Sequence, residues 1–412
     1  MLIFEIMVRA IYSLLAFLIC LQVNAGGFQI NAQGQRQLGM GHTGTGLLTD
    51  GSYIFFNPGA GIFLDRKLTV NTGISLLKPR TVYLEPAPGI YTAEMVHNTG
   101  TPFEIYAAYR FGRWAAGIGV YTPFGSRAQW PDDWKGQFLI REINLKTIFI
   151  QPTVTFRVTD QIGIGAGFVY ATGGFSLRKG VPVQNQSAEY GEGVLDGDAS
   201  GMGYNVGIYF RANDMWSAGI SYRSSVTVNV ESGSADFTVP SSLAEYFPST
   251  TFNTELKLPQ VFNAGIGCTN GRWKYAADFN YIGWSSYDSL RIDFADNTDK
   301  LADIASAREY RNSWIARIGA EYQLNGRFTA RAGTYFDKSP VQDGYLTPET
   351  PDADRIGITC GLSTVISKNF TIDLSCLFVE GMKRTDTNLE TQFTGTYKSR
   401  LVAPGFAINY MF

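Results

Sequence analysis

Cysteine is scarce in this 412-residue sequence. Cys20 falls within an N-terminal apolar run, which leaves Cys268, Cys360 and Cys376, odd in number and thinly spread. That gives neither a disulfide framework nor a zinc-ligand spacing. Histidine is scarcer still: His42 and His97 are the only two, and neither sits at a metal-ligand spacing. Positive charge is not in excess, since 34 Lys and Arg against 36 Asp and Glu give a net charge of -2. A nucleic-acid partner, which shows itself as a clustered basic surface, is not expected. Asp196 with Asp198, and Asp352 with Asp354, could touch a cation, but neither pair completes a calcium loop. The run Gly163-Ile164-Gly165-Ala166-Gly167 leads into more strand rather than a helix, so it reads as small residues making room, not as a phosphate loop. No catalytic residue, metal or cofactor is expected.

Long apolar runs are also missing. Only Ala10 to Val23, behind Arg9 and ahead of Val23-Asn24-Ala25, has length and flanks to note, and they are those of a secretory signal. Residues 1–25 are expected to be that signal. Phe17-Leu18-Ile19 before Cys20 lacks the small residues that lipid attachment prefers. No later run approaches the ~20 apolar residues of a membrane helix.

Glycine and aromatic residues are abundant, with 45 Gly and 28 Phe, which leans toward a large all-β protein. From Lys67 onward the dominant signal is period-two alternation. Ile148, Ile150, Pro152, Val154, Phe156 and Val158 share one face, and Thr147, Phe149, Gln151, Thr153, Thr155 and Arg157 the other. The same pattern runs through Trp273–Tyr281 and through Leu401–Phe412. Such segments exceed the ~9–11 residues of a tilted strand that crosses a bilayer.

The breaks between strands set the architecture. Tight turns are expected at Phe111-Gly112-Arg113, Asp160-Gln161, Ala212-Asn213-Asp214, Asn270-Gly271-Arg272, Asn325-Gly326 and Ser367-Lys368-Asn369. Between them lie longer polar segments near 86–101, 125–142, 179–199, 231–254, 288–312, 338–353 and 380–394. Six short and seven long connections, in strict alternation, predict about fourteen strands, an even number as bacterial outer-membrane barrels require. Trp114, Trp216, Trp273, Phe328 and Phe370 come early on the apolar face after five of the six tight turns. That predicts an aromatic girdle at the short-turn rim, which a soluble sandwich has no reason to build. The fold class expected is an all-β transmembrane antiparallel barrel in the bacterial outer membrane, with residues 67–412 as its wall.

Residues 26–66 do not fit that wall. Glycines recur every few residues without alternation, yet Phe28, Ile30, Leu38, Ile54, Phe56, Ile62 and Phe63 need burial. Short helical turns enclosed by the barrel would satisfy both facts.

With these residues in view, the chain resembles the FadL family of outer-membrane channels for long-chain fatty acids and other hydrophobic molecules. The resemblance rests on Gly26-Gly27-Phe28-Gln29, Leu38-Gly39-Met40-Gly41 and Phe56-Asn57-Pro58, then Thr122-Pro123-Phe124-Gly125 with Trp130 and Trp134-Lys135-Gly136. It continues in Leu256-Lys257-Leu258-Pro259, Tyr281 to Trp284, Arg317 to Tyr322, Arg331-Ala332-Gly333, Ser339-Pro340 and Pro351 to Arg355. Order and spacing match over nearly all of the mature chain, with one departure: the family usually reads Asn-Pro-Ala where this chain has Asn57-Pro58-Gly59. The resemblance implies that residues 26–66 form a hatch within the barrel and that a kink at Phe124-Gly125 opens the third strand sideways. Pro123 cannot donate to a neighbouring strand, which suits such a break; the alternative is that the strand ends at Thr122 and a loop begins.

Alternation assigns Glu104, Arg110, Arg157, Lys257, Lys274, Asp278, Arg317, Glu321 and Arg331 to the lumen. Arg157, Lys257, Arg317 and Arg331 are candidates to hold a fatty-acid carboxylate, against the plain reading that these charges pair with one another and with the hatch. Tyr190, Leu243, Tyr246 and Phe247 lie on polar segments, where the resemblance implies an external capture groove and loop self-packing is the bland equivalent. The function expected is passive uptake of hydrophobic small molecules, fatty acids or hydrocarbons, by a monomer among outer-membrane lipids. The alternative is a barrel with an adhesion or enzymatic role.

Overall fold

A computed structural model describes residues 27–412; the expected signal, residues 1–25, lies outside the described residues. The wall is a closed antiparallel barrel of fourteen strands. They are β1 (Leu68–Ser75, continued by Lys78–Leu84), β2 (Thr92–Glu94 and Phe103–Phe111), β3 (Trp114–Tyr121 and Gly125–Gln129), β4 (Glu142–Arg157), β5 (Ile162–Gln184), β6 (Tyr190–Arg211) and β7 (Trp216–Arg223 and Val226–Thr238). Next come β8 (Thr250–Leu258 and Val261–Asn270), β9 (Trp273–Ile282 and Ser289–Phe294), β10 (Ile304–Ala307 and Ser313–Gln323), β11 (Phe328–Asp337), β12 (Arg355–Val365), β13 (Phe370–Gly381 and Arg384–Thr387) and β14 (Thr394–Met411). The ring closes between β1 and β14, in register from Thr69↔Met411 to Ser75↔Gly405.

All six expected tight turns lie between successive strands. Trp114, Trp216, Trp273, Phe328 and Phe370 at that rim are 37–48% exposed, so the girdle faces outward rather than into a core. On β4, Phe149, Gln151 and Thr155 are wholly buried inside while Val154 is half exposed outside.

Two sequence expectations need correction. Residues 179–199 are not a loop: β5 and β6 run on as a hairpin, paired out to Gln184↔Tyr190, with only 185–189 as a turn. One face of the hairpin is packed, with Val181, Leu195 and Ala199 buried, while polar residues on the other face stand in water and read like a loop. The second correction concerns Lys257, which is exposed on the outer surface beside Glu255 (3.6 Å) and does not face the lumen. Leu258 and Pro259 are consecutive buried residues, so the in–out alternation slips by one between the two arms of β8. A matching slip occurs on β7 at Arg223 and Ser224.

The described residues before β1, from 27 to 64, lie against the inner faces of this ring. They form α1 (Gln35–Gly39), α2 (Tyr53–Phe56) and a 3-10 turn over Pro58–Phe63. Leu38, Ile54 and Ile62 are fully buried. Glycines on both partners permit the contact. A Cβ on Gly165 of β5 would stand 2.1 Å from the Pro58 carbonyl oxygen, and one on Gly319 of β10 would stand 2.0 Å from that of Met40. The Gly163–Gly167 run therefore makes room, as its strand context suggested.

Candidate functional site at the interrupted third strand

Strand β3 is broken where Pro123 stands. Its lower arm ends with Tyr121 opposite Phe149, and its upper arm starts with Gly125 opposite Lys146. Three residues, 122–124, thus cover the interval that β4 spans with two, 147–148, which is a one-residue bulge. On the other side, β2 pairs with β3 only from Glu104 to Phe111. Higher up, Val96 N donates to Gln129 O (2.8 Å) across the seam.

The interior segment supplies three of the partners for the freed backbone, and Thr147 of β4 supplies a fourth, its hydroxyl donating to Phe124 O (2.7 Å). Ile30 N donates to Pro123 O (2.9 Å) and Gly125 N donates to Phe28 O (3.1 Å). Gln33 Nε2 donates to Thr122 O (2.7 Å). Phe124 is buried on the inner side, 6.3 Å from the ring of Phe28 and 6.0 Å from that of Phe149. Phe28 also meets Trp284 edge-on at 4.7 Å and Tyr287 at 5.6 Å, which makes an apolar cage at the break. The start of the segment is tied down as well: Asp352 accepts from Gly27 N (2.9 Å) and from Ser339 Oγ (2.6 Å). Asp352 lies in the connection between β11 and β12, and burial pushes its carboxyl up to about 7.

Beneath the cage is a polar cavity of about 30 Å³, room for a water or two. Four buried atoms on its lining residues have no partner among the described residues: Gln29 Oε1, His42 Nε2, Arg223 Nε and Asp278 Oδ1. His42 adopts a left-handed backbone (φ 62°), and its ring lies 5.0 Å from that of Phe56. Burial, with Arg317 nearby, holds its imidazole well below the usual pKa, so the ring is neutral.

The carboxylate candidates separate on this geometry. Arg317 borders the cavity, but its guanidinium is engaged by Asn280 Oδ1 (2.6 Å) and Asn31 Oδ1 (2.8 Å). Arg331 is paired with Glu321 (2.7 Å) and bonded to Ser363. Arg157 lies toward the short-turn rim, over Phe63 and 3.4 Å from Ile62 O. Arg223, which the sequence reading passed over, reaches the same cavity as Arg317, donates to Phe55 O (3.0 Å) and stacks 4.3 Å over the Phe55 ring. Its signal was present: a charged residue ends the inward face of Ser217, Gly219 and Ser221.

Asn57 is wholly buried and caps the 3-10 turn, its Oδ1 accepting from Gly59 N (3.0 Å). Its amide also donates to Ile208 O of β6 (3.0 Å). Gly59 needs to be small, since a Cβ there would stand 2.8 Å from the carbonyl oxygens of both Gly163 and Gly207. Of the external residues, Tyr190 packs against Phe138 (4.8 Å). Leu243 and Tyr246 sit on a short 3-10 helix, Ser241–Tyr246, and Phe247 just after it packs on Phe237 (5.9 Å).

A closed ring with an apolar outer face and a filled interior defines an outer-membrane transport barrel. The chain belongs to the family described as outer membrane protein transport protein (OMPP1/FadL/TodX), which it matches over residues 16–412. The family's members are transport channels, not enzymes. The chain is 25% identical to the 47 kDa outer membrane protein of Pasteurella multocida, covering 94% of this chain and 95% of that one. It is 22% identical to the long-chain fatty acid transport protein of Salmonella typhi, covering 96% of each. Among solved structures, a Pseudomonas aeruginosa FadL homologue superposes with a TM-score of 0.82 at 18% identity, over 94% of this chain and 100% of that one. The Ralstonia pickettii toluene transporter TbuX gives 0.71 at 18% identity, over 93% and 99%.

Proposed function

We propose that this outer-membrane protein passes hydrophobic solutes from the outside into the bilayer sideways, with residues 26–66 as the hatch and the β3 break as the exit. One observation carries the reading: backbone groups at the break bond to the hatch, through Ile30, Phe28 and Gln33, rather than to β2. A hatch shift therefore unmakes the bonds that close the gap. Broken backbone inside a membrane is tolerated only where protein or a lined cavity supplies partners, and here the supplier is the movable part. A sideways exit suits the cargo, because an apolar molecule that stays out of water keeps ~0.8 kcal/mol per buried methylene. Long-chain fatty acids and monoaromatic hydrocarbons are the substrate classes, in keeping with the named relatives. Tyr190, Leu243, Tyr246 and Phe247 would supply the first apolar contacts outside.

The test is deletion of Pro123, which removes the one-residue excess and lets β3 pair continuously with β4. Assembly is read from heat-modifiable migration and uptake from labelled palmitate and toluene in whole cells. Assembled protein with uptake at background supports the exit. Normal uptake by an assembled variant overturns it.

A further inference from the structure

We propose that the outer surface of β1, β13 and β14, just beyond the apolar belt, binds the phosphorylated head group of an outer-leaflet glycolipid. On β14 the outward residues Ile408, Phe406 and Val402 are 39–41% exposed. The next two on that face are Arg400 and Lys398, both exposed. Across the closing seam the same change occurs at the same level. Leu76 of the apolar face gives way to Lys78 and Arg80, with Lys78 opposite Val402 and Arg80 opposite Arg400. On β13, Phe378 is followed outward by Glu380, which lies opposite Arg400.

Charge in this patch does not cancel. Arg80 is held bidentately by Glu94 (2.5 and 3.0 Å), and Lys398 lies 3.1 Å from Glu380. Arg400 and Lys78 have no partner among the described residues. Four cations therefore face two carboxylates. On β3 to β6, by contrast, Arg127, Arg141 and Arg178 are bound to three carboxylates, Asp132, Glu142 and Glu192. The patch lies on the long-connection side, which outer-membrane barrels direct outward. Cations set immediately above an apolar belt stand at head-group depth, where they meet phosphate with charge-assisted hydrogen bonds. The belt below, with Ile74, Phe378 and Phe406 exposed, would seat acyl chains of the same molecule. That continuity favours a lipid over a soluble anion.

The experiment is native mass spectrometry of the full chain, released from bicelles that contain a phosphorylated diglucosamine glycolipid or the same lipid with its phosphates removed. The wild type should retain the phosphorylated form and release the other. Lys78→Gln with Arg400→Gln should weaken retention about fivefold per charge removed. Lys146→Gln with Arg127→Gln should leave it unchanged. Should the first pair not assemble, Arg400→Gln alone, whose side chain has no partner to lose, is expected to show about a fivefold loss. Equal losses in both pairs, or equal retention of the dephosphorylated lipid, would overturn the proposal. Complete displacement by inorganic phosphate would assign the patch to a free anion instead.

Discussion

The Asp278 carboxylate of β9 accepts hydrogen bonds from the backbone N–H groups of Gly44 and Thr45, both at 2.8 Å. One wall side chain thereby holds the turn that joins the two halves of the interior segment. Hydrogen bonds of this kind contribute roughly 0.5–1.5 kcal/mol each. Asp278→Ala should loosen the hatch while the barrel still assembles, raising the conductance of planar bilayers to small polar solutes. Asp278→Asn, which keeps an acceptor, should leak less. Wild-type conductance in the alanine variant would show that this contact does not hold the hatch.

Close approach at Gly165 gives a second test. An added methyl meets the Pro58 carbonyl at 2.1 Å, a backbone atom that cannot swing away. Overpacking of this kind costs about 1–3 kcal/mol. Gly165→Ala should displace the segment and raise leakage, whereas Gly326→Ala, with nothing within 4 Å, should behave as wild type.

The strand count was legible because tight turns carry their own chemistry, such as Asn270-Gly271 and Asn325-Gly326, and because belts of aromatics mark one rim. Pro123 drew notice through its missing N–H, and Asn57 only through the resemblance of Phe56-Asn57-Pro58 to the family's motif. Lys257 was misplaced because strict alternation carries no sign of where a bulge resets it, and Leu258-Pro259 reads like any strand end. The hairpin over 179–199 was missed since the polar residues of its solvated face look the same in a loop and in a ladder. Arg223 and Asp352 became meaningful only through partners far away in sequence, Phe55 and Gly27.

On the proposed gating, Asp352 is expected to make closure pH-dependent. Its carboxyl titrates at about 7 when buried against Gly27, against ~3.9 for a free aspartate. The seated state therefore binds the proton more tightly than a released state. Its advantage is fullest below the free value and is lost as pH rises through about 7. Single-channel opening should increase between pH 6 and 8 in the wild type and be flat in Asp352→Asn. A flat or decreasing response in the wild type over that interval would overturn this assignment.

Cys360 and Cys376 lie directly opposite one another on β12 and β13, on the outer face. Dibromobimane, which joins neighbouring thiols, should link these two in the assembled barrel and leave Cys268 unlinked. A peptide map with any other pairing would shift the register of that hairpin.

The ring closes where β1 meets β14, and the segment inside precedes β1. The earliest-made part of the described chain thus ends up innermost, and the last part shuts it in. With Met40 and Pro58 in backbone contact with the wall, a finished barrel leaves little clearance for late threading. Biogenesis therefore favours an order in which the nascent hatch gathers lumenal partners on β5 to β12 while the sheet is still open. The β14 edge then works as a zip, drawn last over a compartment already filled.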